Sequence, residues 1–320
     1  MRGKYSIEIY NNKLHYQFEV KRNITIIQGN SATGKTTLIN MIADYSRLGN
    51  SSGIVLNCDR KCYVLPNERW QDFIINTKDS IIFVEENMPF IKTEEFAKCL
   101  HHSDNYYVIV YRDSLPQLAY SINEIYEIRE DRESQKYIKP NLVYQSIYNI
   151  YNLDTPTNVT PDVVITEDTN SGYEFFDELF QCACVSSSGK TKMHNQMKRY
   201  ANEGKTVLGI VDGAAFGADM QKMMRTISEY KNNCIIYAPE SFEYLLLKSN
   251  IFNVPNGILE ETYDYAESKI YDSWEQFFTE QLRSISLDAG HNYSKRHLDR
   301  FFLSNRCITK VKKLMEFVNC

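Results

Sequence analysis

The sequence predicts an α/β protein: a first domain built on a parallel sheet, then a second α/β domain, then C-terminal helices. Three observations carry this. Residues 24–27, 81–84, 163–165 and 207–211 are short, nearly uninterrupted apolar runs, the pattern of parallel strands covered on both faces. Segments with helical periodicity alternate with them, as right-handed crossovers require. The alternation breaks once, at the charged stretch 129–139 and at Pro140, Pro156 and Pro161, and then resumes.

The chain opens on a hairpin. Ile7 and Ile9 alternate with polar neighbours over residues 5–10, Asn11-Asn12 supplies the turn, and Leu14, Tyr16, Phe18 and Val20 alternate on the return strand. The buried strand 24–27 leads through a glycine-bearing loop into a helix over 36–45. Apolar segments at 54–56 and 63–65, a helix at 68–75, a strand at 80–84, a helix at 93–100 and a strand at 106–111 complete a first domain, residues 1–130. A linker is expected over 131–161, with a short helix at 142–151. In the second domain, residues 162–255, strands at 163–165, 183–185, 207–211 and 234–237 alternate with helices at 173–181, 192–202 and 220–230. Residues 256–320 show helical periodicity and few breakers.

The 320-residue chain is 43% hydrophobic and 24% charged, a globular balance that excludes a disordered chain. Its 23 Tyr and 16 Phe are accounted for by half-buried rings on strands and helices. A net charge of −5 excludes a coat protein that binds nucleic acid by bulk charge, but a local basic stripe suffices for phosphate contacts. One stripe is Lys190, Lys192, Lys198, Arg199 and Lys205; the other is Lys295, Arg296, Arg300, Arg306, Lys310, Lys312 and Lys313. For each, a solvated helix face is the alternative. No 18-residue apolar span and no apolar leader is present, so a cytoplasmic protein without membrane contact is expected. The cysteine pairs Cys58/Cys62 and Cys182/Cys184 lack zinc spacing and read as reduced, mostly buried thiols. His101-His102 has no partner pattern and reads as structural.

Residues Gly29-Asn30-Ser31-Ala32-Thr33-Gly34-Lys35-Thr36 form a complete G-x-x-x-x-G-K-[ST] loop between a strand and a helix. The glycines let backbone N–H groups wrap a phosphate, and the following helix N-terminus adds positive potential. These eight residues and Thr37 are expected to bind ATP, with Lys35 on the β- and γ-phosphates and the Thr36 hydroxyl on Mg²⁺. The run 81–84, followed by Glu85 and Glu86, has the Walker B form. Glu85 is expected to hold the metal from a neighbouring strand, and Glu86 to polarise the attacking water. Arg112, at the tip of the next strand, is a candidate sensor of the γ-phosphate.

Hairpin, P-loop, Walker B strand with an extra glutamate and sensor strand together resemble the nucleotide-binding head of ABC-type ATPases, over about residues 5–128. An LSGGQ-like segment is absent and little chain separates Lys35 from Ile81, so the resemblance implies a pared-down ATPase. In the second domain, a strand ends in Glu167 before a Gly-bearing loop and helix, another ends in Asp212-Gly213, and Gly217 follows five residues after Asp212. This pattern resembles a TOPRIM domain, the metal-binding fold of topoisomerases, primases and OLD-type nucleases. The resemblance implies that Glu167 and Asp212 share Mg²⁺ for phosphodiester cleavage. Ala214 stands where the family has a second aspartate, and Asp168, Asp219 or Glu240 are the candidates to replace it. Ser186-Ser187-Ser188-Gly189-Lys190-Thr191 lacks the first glycine of a phosphate loop and reads as a polar, basic loop near that edge.

The whole chain is similar in plan to OLD-family proteins. That implies ATP-gated action on DNA or RNA, a homo-oligomer or a protein partner, and a role in defence against phages and mobile elements. A nucleotide-gated binding protein, silent at the second site because of Ala214 and recruiting a partner through its basic C-terminal helices, is the alternative. A small-molecule phosphotransferase is a third reading, disfavoured by the lack of an arginine-bearing lid segment.

Overall fold

In the computed structural model, which describes residues 1–29, 33–130, 137–142, 147–148, 158–231 and 233–319, the apolar runs become the central strands of two sheets. The first belongs to a unit made of Met1–Tyr144 and Glu261–Ser273. Strands β1 (Tyr5–Tyr10) and β2 (His15–Val20) form the opening hairpin. Asn11 closes it, its Oδ1 accepting the N–H groups of Lys13 and Leu14 at 2.8 and 2.9 Å. β3 (Ile24–Gln28) leads to helix α1 (Lys35–Leu48), then β4 (Val55–Asn57), β5 (Lys61–Val64), α2 (Trp70–Asn76) and β6 (Ser80–Val84). Helix α3 (Glu94–Leu100), β7 (Tyr106–Val110), β8 (Ile125–Glu130) and β9 (Tyr137–Leu142) complete it.

The strand order is β4-β1-β2-β9-β8-β3-β7-β6-β5, with β8, β3, β7, β6 and β5 mutually parallel. β4 and β5 are joined by residues 58–60 yet occupy opposite edges, so the sheet curls around α1. Leu38, Ile39, Met41 and Ile42 of α1 therefore share one core with Ile7 and Ile9 of β1 and Ile81 and Phe83 of β6. Each such side chain contributes about 1.5–3 kcal/mol by leaving water.

The second unit comprises Gln145–Glu260 and Trp274–Cys320. It contains β10 (Ile147–Tyr148), β11 (Val163–Thr166), α4 (Ser171–Leu179), β12 (Ala183–Ser186), α5 (Lys190–Asn202), β13 (Val207–Ile210), α6 (Gly217–Glu229), β14 (Cys234–Tyr237) and α7 (Phe242–Lys248). Two later helices, Trp274–Asp288 and Asn305–Lys312, follow. The strand order is β10-β14-β13-β11-β12, parallel except for β10.

Two stretches differ from expectation. Within the stretch read as a linker, β9 pairs antiparallel with β8, while residues 131–136, 143–146 and 149–157 lie outside the described residues. Where a helix is expected over 142–151, Ile147 and Tyr148 instead pair with Tyr237 and Ile236. Pairing along an open sheet edge outweighs a short periodic signal. The C-terminal region also divides. Its residues Glu261–Ser273 return to the first unit, where Gly3 N–H donates to Tyr263 O at 2.6 Å and Asn23 Nδ2 to Tyr271 O at 2.8 Å. Among the described residues no helix is long and apolar enough to cross a membrane.

Candidate functional site

Because β3, β7 and β6 are parallel, their carboxyl ends share one sheet edge. That edge carries the glycine loop after Gln28, Arg112 after β7, and Glu85 and Glu86 after β6. β7 lies between the other two, so the acids come from one strand further away than the hydrogen-bonded neighbour expected. Gly29, Thr33 and Gly34 of the loop are described; Asn30, Ser31 and Ala32 lie outside the described residues. Gly29 (φ +124°) and Gly34 (φ +92°) take backbone conformations that side chains disfavour.

Lys35 is only 6% exposed, and its Nζ donates to Gly29 O at 2.7 Å and Thr33 Oγ1 at 3.1 Å. Burial and then the charge of Arg112 lower its pKa, while Glu86 opposes them. Arg112 Nε in turn contacts both Glu86 oxygens, at 2.9 and 3.1 Å. A partly exposed pair of this kind contributes about 0–1 kcal/mol, so an incoming phosphate can displace it. Glu85 is half-buried, and Thr36 and Thr37 are exposed. Tyr16 of β2, fully buried, donates to Gly34 O at 3.0 Å and hydrogen-bonds Thr37. Nothing in its local sequence marks that buttress.

In the second unit the chain leaves β11 toward β12 on one side and later enters β13 on the other. β11 and β13 thus flank the switch point at which a crevice opens beyond the strand ends. Glu167 follows β11 and Asp212 follows β13. A cavity of about 220 Å³ lies there, lined by Glu167, Asp168, Asp212, Glu243, Glu275 and Lys295 among others. Glu243 comes from the first turn of α7 and Glu275 from the first turn of Trp274–Asp288.

Hydrogen bonds fix this arrangement. Asp212 N–H donates to Glu167 Oε2 at 3.3 Å, and Asp212 Oδ1 accepts Phe242 N–H at 3.0 Å. Glu243 Oε1 accepts the Tyr293 hydroxyl at 2.7 Å, and Lys295 Nζ lies 2.5 Å from Glu275 and 3.6 Å from Glu243. The polar loop after β12 clamps Glu167 by its backbone. Ser187 Oγ and Gly189 N–H donate to Glu167 O at 3.0 and 2.8 Å.

Gly213 is required by close approach. A Cβ there would stand 2.7 Å from Pro239 O and 2.8 Å from Ala238 O, both backbone atoms with no rotamer to change. Gly213→Ala is expected to destabilise the second unit by about 2 kcal/mol, read as a lowered melting temperature. A melt identical to wild type would show that the 212–214 turn has room to shift.

Burial, more than any neighbour, pushes the Glu167 carboxyl up to about 7. Burial also holds Asp212 well above the usual carboxylate range, reinforced by Glu275, Glu167 and Glu243 and opposed by Lys295. Asp168 is raised chiefly by burial. Lys295 rises although burial alone would lower it, because Glu243 and Glu275 outweigh the desolvation. Five carboxylates face Lys295 in the cavity, with Lys190 also acting on Glu167, and still leave an unmet demand for positive charge.

Hard oxygen donors of this kind suit Mg²⁺ or Mn²⁺. Among the described residues only His101, His102 and Asp272 bring three ligand atoms within 4.8 Å of one another, so the cavity's carboxylates do not converge that tightly. An ion held here fits one that keeps several waters, as Mg²⁺ does.

Of the candidates to replace the aspartate absent at 214, Asp168 lines the cavity, whereas Asp219 and Glu240 do not. The Glu240 carbonyl accepts Ala214 N–H at 3.0 Å. His101, read as structural, pairs with Asp272 at 2.6 Å. The first basic stripe is largely neutralised: Lys198 pairs with Glu229, and Arg199 and Lys205 with Glu203. In the second, Lys295 is drawn into the cavity, while Arg296, Arg300 and Arg306 stay exposed. Neither models of known protein families nor curated proteins match the chain.

Proposed function

We propose that the chain is an ATPase joined to a TOPRIM-like, metal-dependent phosphodiesterase of nucleic acid, similar in plan to OLD-family proteins. One observation carries the reading. The acids ending β11 and β13 face a single cavity at the sheet's switch point, together with Glu243, Glu275 and Lys295. In the first unit, the shared edge of the glycine loop, Glu85, Glu86 and Arg112 supports nucleotide binding and hydrolysis.

The residues divide the work as follows. Lys35 and the loop amides hold the phosphates, Thr36 and Glu85 face the cation, and Glu86 orients water once Arg112 turns to the γ-phosphate. In the second unit Glu167 and Asp212 hold the ion, which when bound activates water and offsets charge on the leaving oxygen. Lys295 then carries a fixed positive charge for the substrate phosphate, and Glu275 and Glu243 keep it in place.

The test is cleavage of plasmid and oligonucleotides with Mg²⁺ or Mn²⁺, with and without ATP. Asp212→Ala should reduce cleavage by about 10²–10³-fold, and Lys35→Ala should remove its dependence on ATP. Buried Ala214 favours the second reading, a nucleotide-gated binding protein with a silent second unit. Intact ATP turnover with no cleavage under any condition selects it and removes the nuclease.

A further inference from the structure

We propose that Cys58 and Cys62 form a peroxide-reactive dithiol, Cys58 attacking and Cys62 resolving, at the connection between β4 and β5. Both sulfurs hydrogen-bond the backbone of one residue, Arg60. Arg60 N–H donates to Cys58 Sγ at 3.5 Å, and Cys62 Sγ lies 3.7 Å from Arg60 O as donor. The Cys62 thiol stands near enough to favour the thiolate form of Cys58. A cavity of about 340 Å³, lined by both cysteines with Tyr45, Arg60, Lys61 and Tyr63, leads to them. Cys62 is 5% exposed and Cys58 only half-buried, so a reagent entering the cavity meets Cys58 first.

The surroundings separate Cys58 from every other described cysteine. Its pKa is lowered to about 7, first by the Cys62 thiol and then, against burial, by the Arg60 N–H, with the charges of Arg60 and Asp59 opposing each other. Burial raises Cys99, Cys182, Cys184, Cys234 and Cys307, and the neighbouring Cys58 sulfur together with burial raises Cys62. Low pKa, access and a neighbouring resolving thiol are the combination that selects for oxidation.

The chemistry balances. The Cys58 thiolate attacks a hydroperoxide; an S–O bond forms, the O–O bond breaks, and the leaving hydroxide or alkoxide takes a proton. Cys62 then attacks the Cys58 sulfenic acid; the S–S bond forms and the S–O bond breaks. The departing hydroxide leaves as water with the proton of Cys62. The hydroperoxide gains two electrons and the dithiol loses two. The bond would lock the connection that links the two edges of the curled sheet, beside Tyr45 and Ser46 in the last turns of α1.

The experiment treats the full-length native protein with equimolar hydrogen peroxide, alkylates the remaining thiols and maps the peptides. The Cys58–Cys62 disulfide should be the first product, forming at least about tenfold faster than oxidation at Cys99 or Cys182. In Cys62→Ser, dimedone should trap a sulfenic acid at Cys58; in Cys58→Ser, Cys62 should stay reduced. Thermal melts of both serine variants check that the fold persists. Oxidation of Cys58 no faster than Cys99, or Cys62 oxidised as readily without Cys58, overturns the proposal. If a serine variant unfolds, the native-protein rates and first product decide alone.

Discussion

Lys35→Ala should cost the chain at least about 100-fold in affinity for Mg·ATP, close to 3 kcal/mol. Lys35 is already desolvated, and its ammonium is held inside the loop by Gly29 O and Thr33 Oγ1. It therefore gives up little water on meeting phosphate, and losing it removes nearly its full charge-assisted contribution. Titration of a fluorescent ATP analogue reads the loss. Glu86→Gln should separate the two halves of the process: binding stays within a few-fold of wild type while turnover falls about 10²–10³-fold. Arg112 can still turn to the nucleotide there, because the neutral amide holds it less than the carboxylate does. Wild-type ATP affinity in Lys35→Ala would sink the phosphate-loop reading.

The second large effect is a pH dependence of stability. Folding raises the Glu167 pKa from 4.5 to about 7, so between these values the native state binds more protons than the unfolded one. Stability therefore falls as pH rises through this window, by about 3 kcal/mol from Glu167 alone. Asp212 acts with the same sign. The measurement is the difference in unfolding free energy between Glu167→Gln and wild type without divalent cations, so that shifts common to both cancel. The two should match below pH 4.5, and the glutamine variant should be the more stable above pH 7. Mg²⁺ or Mn²⁺ should restore wild type at pH 7.5 and leave Asp212→Asn unchanged. Asparagine keeps an acceptor for Phe242 N–H, so a failure to respond reports lost charge and not a broken turn. Equal stabilities across the window would mean that Glu167 is solvated, and the cavity would then lack the charge imbalance that supports metal binding.

The glycine loop, the apolar strands and the acids that end them were legible because their physics is local. A strand covered on both faces must be apolar along its length, and a backbone that wraps phosphate needs glycine at fixed offsets. The same reasoning reached Glu85, Glu86, Glu167 and Asp212 from the ends of those strands. It misjudged residues whose neighbours are distant in the chain. Lys295 looked like one member of a basic surface stripe, yet it sits in the carboxylate cavity against Glu243 and Glu275. Tyr16 looked like one more alternating hairpin residue, yet its hydroxyl holds Gly34 O.

By itself, then, the sequence determined the central strands and the helices between them, the position of the glycine loop, and which acids stand at strand ends. Each of these depends on residues within a few positions of one another. Only the tertiary structure decided that Glu243 and Glu275 join Asp212, that Lys295 lines the same cavity, and that residues 261–273 return to the first unit. It decided too that Glu167 resists ionisation. Burial and Coulomb interaction depend on distance in space, and no spacing along the chain encodes which turns of α7 and Trp274–Asp288 will face the end of β13.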